Sequence, residues 1–237
     1  MTTPSDGGAT LSAGSSKVAD TGATRAYQYL RQQLLSGRFK PGERLLYGPI
    51  GKEIGVSATP VREAAGRLAN EGLVELVPQR GALVRRIDAR ELRHLYEVRL
   101  AIEPYAAGLA ARRAGDNHRR DLSTLTERWD DLIRRHAVDD DVAVHPSAAA
   151  EFDEADHEFH QVVLAATANP AMVQAANQSH VLTRIFGVRR HLYTRQTLTR
   201  TRDEHAAIAE AIRGGDAVAA RKAAERHIEH GRSLSLD

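Results

Sequence analysis

Along most of the chain apolar residues recur at helical spacing, and period-two alternation is confined to one short stretch. In ATRAYQYLRQQLLSGRF the apolar positions Tyr27, Leu30 and Leu34, with Leu35 adjacent, predict a helix. Gly37 ends it and Pro41-Gly42 makes a turn. A second, short helix is predicted near 48–54, with Gly48, Pro49 and Gly51 at its start. In IGVSATPVREAAGRLANEGLVEL, Gly55 supplies a tight turn, Ser57 or Thr59 can cap, and Pro60 falls in the first turn. Val61, Ala64, Ala65 and Leu68 then form an inward stripe, Arg62 and Arg67 lie off it, and Gly72 stops the helix. LVELVPQRGALVRRI reads as two strands around a turn at Pro78-Gln79-Arg80-Gly81. This order of elements is a winged helix-turn-helix, whose second helix presents its N-terminal residues to the major groove of DNA.

From Ile87 onward the strand signals stop. ARELRHLYEVRLAIEPYAAGLAARRA is a long amphipathic helix with Leu92, Leu95, Val98, Ile102 and Leu109 among its apolar positions. Further helices are predicted over 117–138, 151–167, 169–194, 197–213 and 216–234, with a looser stretch at 139–150. The expected fold is mainly α: an N-terminal winged helix-turn-helix over 20–88 and a C-terminal all-α antiparallel bundle over 89–237. The polar, Gly/Ser-rich residues 1–19 read as a disordered tail.

Composition narrows the chemistry. Hydrophobic residues make up 42% and aromatics 5%, so the core must be aliphatic. There is no Cys, which excludes disulfides, thiolate zinc sites and cysteine nucleophiles and leaves His, Asp and Glu as the metal ligands available. Residues 20–88 carry 11 Lys/Arg against 7 Asp/Glu, whereas 89–237 carry 21 against 23, so a polyanion partner is expected for the first part alone. The start lacks the order of a secretory signal and no apolar run reaches membrane-spanning length, so a cytoplasmic protein without membrane association is expected.

The segment FDEADHEFH, 152–160, concentrates three functional possibilities. Its middle letters spell a helicase-type box, but no G-x-x-x-x-G-K-[ST] loop exists to hold phosphate, so that match is coincidence. On a helical projection Phe152, Phe159, Val163 and Ala166 define the buried face. Asp156 and His160 lie beside that face. Asp153 and His157 fall at its flank, and Glu154 and Glu158 point away, which predicts a solvated rim for these four. A carboxylate and an imidazole one turn apart can grip one ion. His205 shares a face with Ile208 and Ile212, and His227 with Ala220, Ala223 and Ala224; His230 is turned away from the latter by 60°.

The runs SGRFKPGERL, VSATPVREAAGRLANEGLVEL and PQRGALV resemble the DNA-binding domain of the GntR family of bacterial transcription regulators. That resemblance implies that Arg62 contacts base or phosphate, that Thr59 helps to anchor the backbone, and that Gly81 lets the wing turn near the DNA. Arg67, Gln79 and Arg80 are further candidate DNA contacts. The family usually has Arg where this chain has Ala58, a loss worth ~1–3 kcal/mol of base discrimination, and Ala where it has Gly51. The helical remainder resembles the FCD (FadR C-terminal domain) subfamily, and D-x-x-F-H with the later E-H and H-I spacings resembles its metal-binding branch.

By that resemblance Asp156, His160, His205 and His227 become ligands of a divalent metal, zinc foremost, with nickel, manganese or iron also suited. A small carboxylate effector is implied, with Arg99 as its anion partner and Arg184, Arg189 and Tyr193 as further pocket candidates. The alternative for Arg99 is a surface ion pair with Glu103 at i,i+4. The implied protein is a ligand-responsive repressor that binds double-stranded operator DNA as a homodimer and is not an enzyme. The competing reading is a metal-dependent hydrolase or isomerase of a small organic acid, because a metal with open positions can activate water.

Overall fold

The computed structural model describes residues 21–187 and 193–236. The chain begins with α1 (Gly22–Leu35), β1 (Arg44–Leu45), α2 (Tyr47–Ile54), α3 (Ala58–Asn70), β2 (Val74–Val77) and β3 (Gly81–Val84). It continues with α4 (Ala89–Arg113), α5 (Asp116–His136), α6 (Pro146–Ala166), α7 (Pro170–Phe186), α8 (Arg195–Arg213) and α9 (Ala217–Leu236). An N-terminal winged helix-turn-helix is followed by a helical domain. Among the described residues no helix is long and apolar enough to cross a membrane.

The three N-terminal helices pack through their apolar stripes. Ala26, Leu30 and Leu34 of α1 and Val61, Ala64, Ala65 and Leu68 of α3 are all buried, closed from below by Leu73, Val74, Ala82 and Val84. The turn between α2 and α3 depends on two glycines. Gly55 ends α2 with φ +71°, a left-handed conformation that costs an L side chain on the order of 1 kcal/mol. A Cβ on Gly51 would sit 2.7 Å from the Val56 carbonyl oxygen, so the chain's departure to Gly at this position matches the closeness of the turn. The hairpin forms as expected, with β3 central in an antiparallel sheet of order β1-β3-β2. The two-residue β1 was not expected. It has too few residues to show alternation and exists through its pairing with β3.

In the second part α4 packs along α9 and α7, and α5 along α6 and α8. Alanines at 107, 110 and 111 of α4 and at 220, 223 and 224 of α9 share one buried cluster, while Ala106 packs with Leu164 of α6 and Ala176 of α7. On α5, Leu122, Leu125, Trp129, Leu132 and Ile133 form the inward stripe. Two boundaries correct the sequence reading. α6 starts at Pro146, not near 151, because Pro is tolerated in the first turn and Ala148 and Ala149 are buried beside Trp129. α7 ends at Phe186, not 194. Thr194 instead caps α8, with reciprocal bonds to Thr197 that satisfy free backbone donors.

One packing feature crosses between the two parts. Val181 and Leu182 of α7 are buried in the same apolar cluster as Leu30, Leu68 and Leu73 of the winged helix, with Leu95, Ile185 and Phe186 packed against it.

Candidate metal centre and nucleic-acid interface

The N-terminal turns of α3 carry Thr59 and Arg62, both exposed. The Arg62 guanidinium stands 5.8 Å from the centre of the Tyr47 ring. The hydroxyl of the same tyrosine lies 3.5 Å from where a Gly81 Cβ would be. Tyr47 therefore joins the start of the helix to the base of the wing. Gln79 at the wing tip has φ +62° and Gly81 φ +80°, a bend that leaves Arg80 exposed. Arg67 is placed differently. Its guanidinium lies 3.9 Å from the ring centre of Tyr27 on α1, and Tyr27 donates to Glu71 at 2.7 Å. This stacking ties Arg67 to the α1–α3 junction.

In the helical part α6, α8 and α9 bring Asp156, His160, His205 and His227 together, with one ligand-type atom from each inside a 4.8 Å span. His160 Nε2 faces His227 Nε2 at 3.1 Å, and Asp156 Oδ1 lies 3.8 Å from His160 Nε2 and 3.4 Å from His205 Nε2. Atoms bound tetrahedrally to one zinc at ~2.0–2.1 Å stand roughly 3.4 Å apart, so these spacings suit a common ion.

The outer nitrogens explain the orientation. His160 Nδ1 is 2.8 Å from Glu103 Oε2, and His227 Nδ1 is 3.1 Å from Glu204 Oε2. An Nδ1–H held by a carboxylate leaves the Nε2 lone pair facing inward. Two such lone pairs at 3.1 Å repel each other unless a cation or proton lies between them. His205 is fully buried, stacked on Phe159 at 4.2 Å and edge-on to Trp129 at 5.2 Å. Neither of its ring nitrogens makes a well-formed hydrogen bond. An unmade bond of that kind costs about 1–3 kcal/mol, and metal coordination at Nε2 removes part of that cost. The residues present therefore fit a divalent ion.

A second trio, Glu103, His160 and His180, has ligand-type atoms equally close together. Arg99 Nε donates to Glu103 Oε1 at 2.6 Å, while His160 takes Oε2. With both oxygens engaged and a guanidinium alongside, this trio supports the first cluster instead of holding its own cation.

Burial works to raise the Glu103 pKa, but Arg99 and His160 hold it well below the usual carboxylate range. Asp156 is likewise held low, against burial, by His205, His160 and His180. Glu204 is drawn down to about 2, again against burial, by His227 and His230. Burial pushes His205 and His227 below their ordinary value of 6.5. The unfolded chain takes up these protons near 6.5 while the folded metal-free protein refuses them. The stability they contribute is present above that value and is lost as pH falls below it. Thermal unfolding of metal-free protein should therefore shift downward between about pH 7 and pH 5, before the depressed carboxylates titrate. A flat profile over that window would contradict the buried neutral imidazoles.

Beside the cluster lies a cavity of about 110 Å³, lined by Tyr96, Arg99, Asp153, Asp156, His180, Thr183, Arg184, Tyr193, Thr201, His227 and His230, among others. A wider open cleft of about 950 Å³ runs between α1 and α6–α7 and shares Asp153 and Arg184 with it. Of the four ligand-type residues, Asp156 and His227 line the smaller space. Arg99 is buried there, paired with Glu103 and donating to Thr183 at 3.1 Å, so its ion pair is internal. Arg184 is also buried and holds Glu154 at 2.5 Å. Tyr193 donates to Asp153 at 2.6 Å. Arg189 lies outside the described residues.

The expected rim is corrected in part. Asp153 is buried at 3% exposure, while Asp156 opens partly onto the cavity. The tyrosine that covers Asp153 comes from beyond α7, out of reach of a single-helix projection. His157 is half-buried, with Nδ1 3.4 Å from His180 Nδ1, whereas Glu154 and Glu158 stay outside in ion pairs with Arg184 and Arg128. Sequence reasoning named Glu103 only as an ion-pair partner for Arg99, missed His180 and Glu204, and set His230 aside, although His230 shares Glu204 Oε2 with His227 at 3.0 Å. The E-H pair at 204–205 was the available signal for Glu204; His180 had none.

Residues 23–84 match the bacterial regulatory proteins of the gntR family, and residues 94–230 match the FCD domain. An uncharacterized HTH-type transcriptional regulator of Agrobacterium vitis, in the TAR-I ttuE-ttuC' intergenic region, is 32% identical over 99 residues, 42% of this chain. The match spans only 58% of that relative. The HTH-type transcriptional repressor GlaR of Escherichia coli is 24% identical over 207 residues, covering 85% of this chain and 90% of GlaR. Among solved structures, E. coli McbR/YncC superposes with a TM-score of 0.75 at 19% identity, covering 90% of this chain and 96% of that one, which shows the shared fold. With the helix-turn-helix matched at the start and the FCD domain over more than half of its length, the chain belongs to the gntR family of bacterial regulatory proteins, in the class whose C-terminal part is an FCD domain.

Proposed function

We propose that this protein is a metal-containing transcription regulator that answers to a small carboxylate and binds double-stranded operator DNA as a homodimeric repressor. The observation that carries the reading is the convergence of Asp156, His160, His205 and His227 from three helices, with two imidazole Nε2 atoms 3.1 Å apart. Three nitrogens and one carboxylate suit zinc foremost, then nickel, manganese or iron. When bound, the ion would supply a Lewis-acidic position for an acid in the neighbouring cavity. Arg99, Arg184 and Tyr193 are the candidate partners for the rest of that acid.

The DNA-facing residues are Thr59, Arg62, Gln79, Arg80 and Gly81, with Arg67 set further back against Tyr27. The dimer reading is supported by an exposed apolar stripe on α4, formed by Val98, Ala101 and Tyr105. GlaR is a repressor by name, and the named relatives are regulators, not enzymes, which favours regulation over the hydrolase or isomerase reading.

Full-length protein purified without chelator should carry close to one metal per chain and bind its own promoter fragment at low salt. That DNA affinity should change when small acids are added. Metal-free protein under loading conditions, or turnover of an added acid, would defeat this assignment.

A further inference from the structure

This inference rests on the metal-cavity reading above and concerns what the effector must look like. α7 has two working faces. At 100° per residue His180, Thr183 and Arg184 fall within one sector and line the cavity beside the metal cluster. Val181 and Leu182 point elsewhere and are buried in the winged-helix core.

On the inner face two buried polar atoms, Arg184 Nε and His180 Nε2, have no hydrogen-bond partner among the described residues. His180 is 1% exposed and Arg184 7%. A guanidinium Nε–H is always a donor. In the contact between His157 Nδ1 and His180 Nδ1, 3.4 Å, either ring can donate; when His157 does, the His180 proton sits on Nε2. The Arg184 Nε–H, and one turn before it the His180 Nε2, a donor in that tautomer, therefore lack a partner among the described residues. The cluster that would hold the metal is built from α6, α8 and α9. The cavity's two polar ends thus belong to different helices.

We propose that the effector is a short two-ended acid. One carboxylate joins the metal, the other is held by Arg184 and His180, and the second contact moves α7 and with it the Val181–Leu182 seat of the winged helix. A cavity of about 110 Å³ suits a three- or four-carbon diacid. A ligand shifts a conformational balance only as far as it binds one state better than the other. A monocarboxylate can occupy the metal end yet has no contact with which to bias α7. A second carboxylate competes with Glu154 for Arg184, which joins α6 to α7 at 2.5 Å.

The test uses zinc-loaded full-length protein with malonate and acetate as probes, read by calorimetry and by amide hydrogen exchange over residues 68–84. Malonate should bind about tenfold or more tighter than acetate, the worth of one charge-assisted hydrogen bond or more. Malonate alone should change exchange in that segment. Arg184→Met should lose both the affinity advantage and the exchange response at unchanged zinc content. Leu182→Ala should keep the malonate affinity and lose the response. Equal binding of the two acids, an equal exchange response to both, or a malonate response that survives in Arg184→Met overturns the two-ended effector. If zinc is bound stoichiometrically, such a result leaves the metal reading standing. Protein that takes up no zinc overturns both.

Discussion

Replacing His205 and His227 together by alanine should abolish stoichiometric metal binding and remove the metal-dependent rise in melting temperature expected of the wild type. Binding to the folded state alone stabilises it by RT ln(1 + [L]/Kd), about 4 kcal/mol at a thousandfold excess over Kd. A four-ligand cage reduced to Asp156 and His160 holds an ion too weakly to gain that amount. The metal-free comparison separates this loss from simple damage. Without metal, His205 leaves two buried nitrogens unpartnered, and His160 and His227 face each other at 3.1 Å. The wild type then carries costs that the variant lacks, against which the variant loses the Phe159–His205 stacking. The gap between the two proteins should therefore narrow sharply when a chelator is added. Metal analysis with thermal unfolding, with and without zinc, checks it. A gap of the same size in chelator would mean that the histidines are structural, and no zinc response in the wild type would remove the metal.

Arg62→Ala should weaken binding to the protein's own promoter by roughly 5- to 150-fold, the ~1–3 kcal/mol of a specific side-chain contact. Its effect on thermal unfolding should be small, within ~0.5 kcal/mol, because the side chain is exposed and its guanidinium stands 5.8 Å from the Tyr47 ring centre. Arg67→Ala is the internal contrast. Its guanidinium stacks on Tyr27 at 3.9 Å, so the loss should fall on stability, at about 0.5–1 kcal/mol. Promoter binding by fluorescence anisotropy beside a melting curve distinguishes them. Unchanged affinity in Arg62→Ala would take that residue out of the readout.

Much of this architecture was legible in the chain because local rules act on neighbouring residues. The stripes at Leu30 and Leu34 and at Val61, Ala64 and Leu68 are periodic, Gly55 and Gly81 stand where the backbone turns left-handed, and Pro60 sits in a first helical turn. The convergent Asp–His cluster was legible for the same reason: Asp156 and His160 are one turn apart, and His205 and His227 ride on apolar faces. Where the reading slipped, distant residues were responsible. Tyr193 covers Asp153, Ala148 and Ala149 meet Trp129 and so lengthen α6, and β3 recruits β1.

The sequence by itself determined the helices, the winged-helix pattern and the four ligand-type side chains, because periodicity specifies how a side chain is directed about its own helix axis. Only the tertiary structure decided what stands in that direction. It set Glu103 and Glu204 behind two of the histidines, buried the Arg99–Glu103 pair that i,i+4 spacing allows, and gave His180 and Arg184 a shared cavity. It also seated Val181 and Leu182 in the winged-helix core, which makes one helix border both the cavity and the DNA-binding part. That seating joins residues as distant along the chain as Leu30 and Leu182, and no local spacing rule reaches so far.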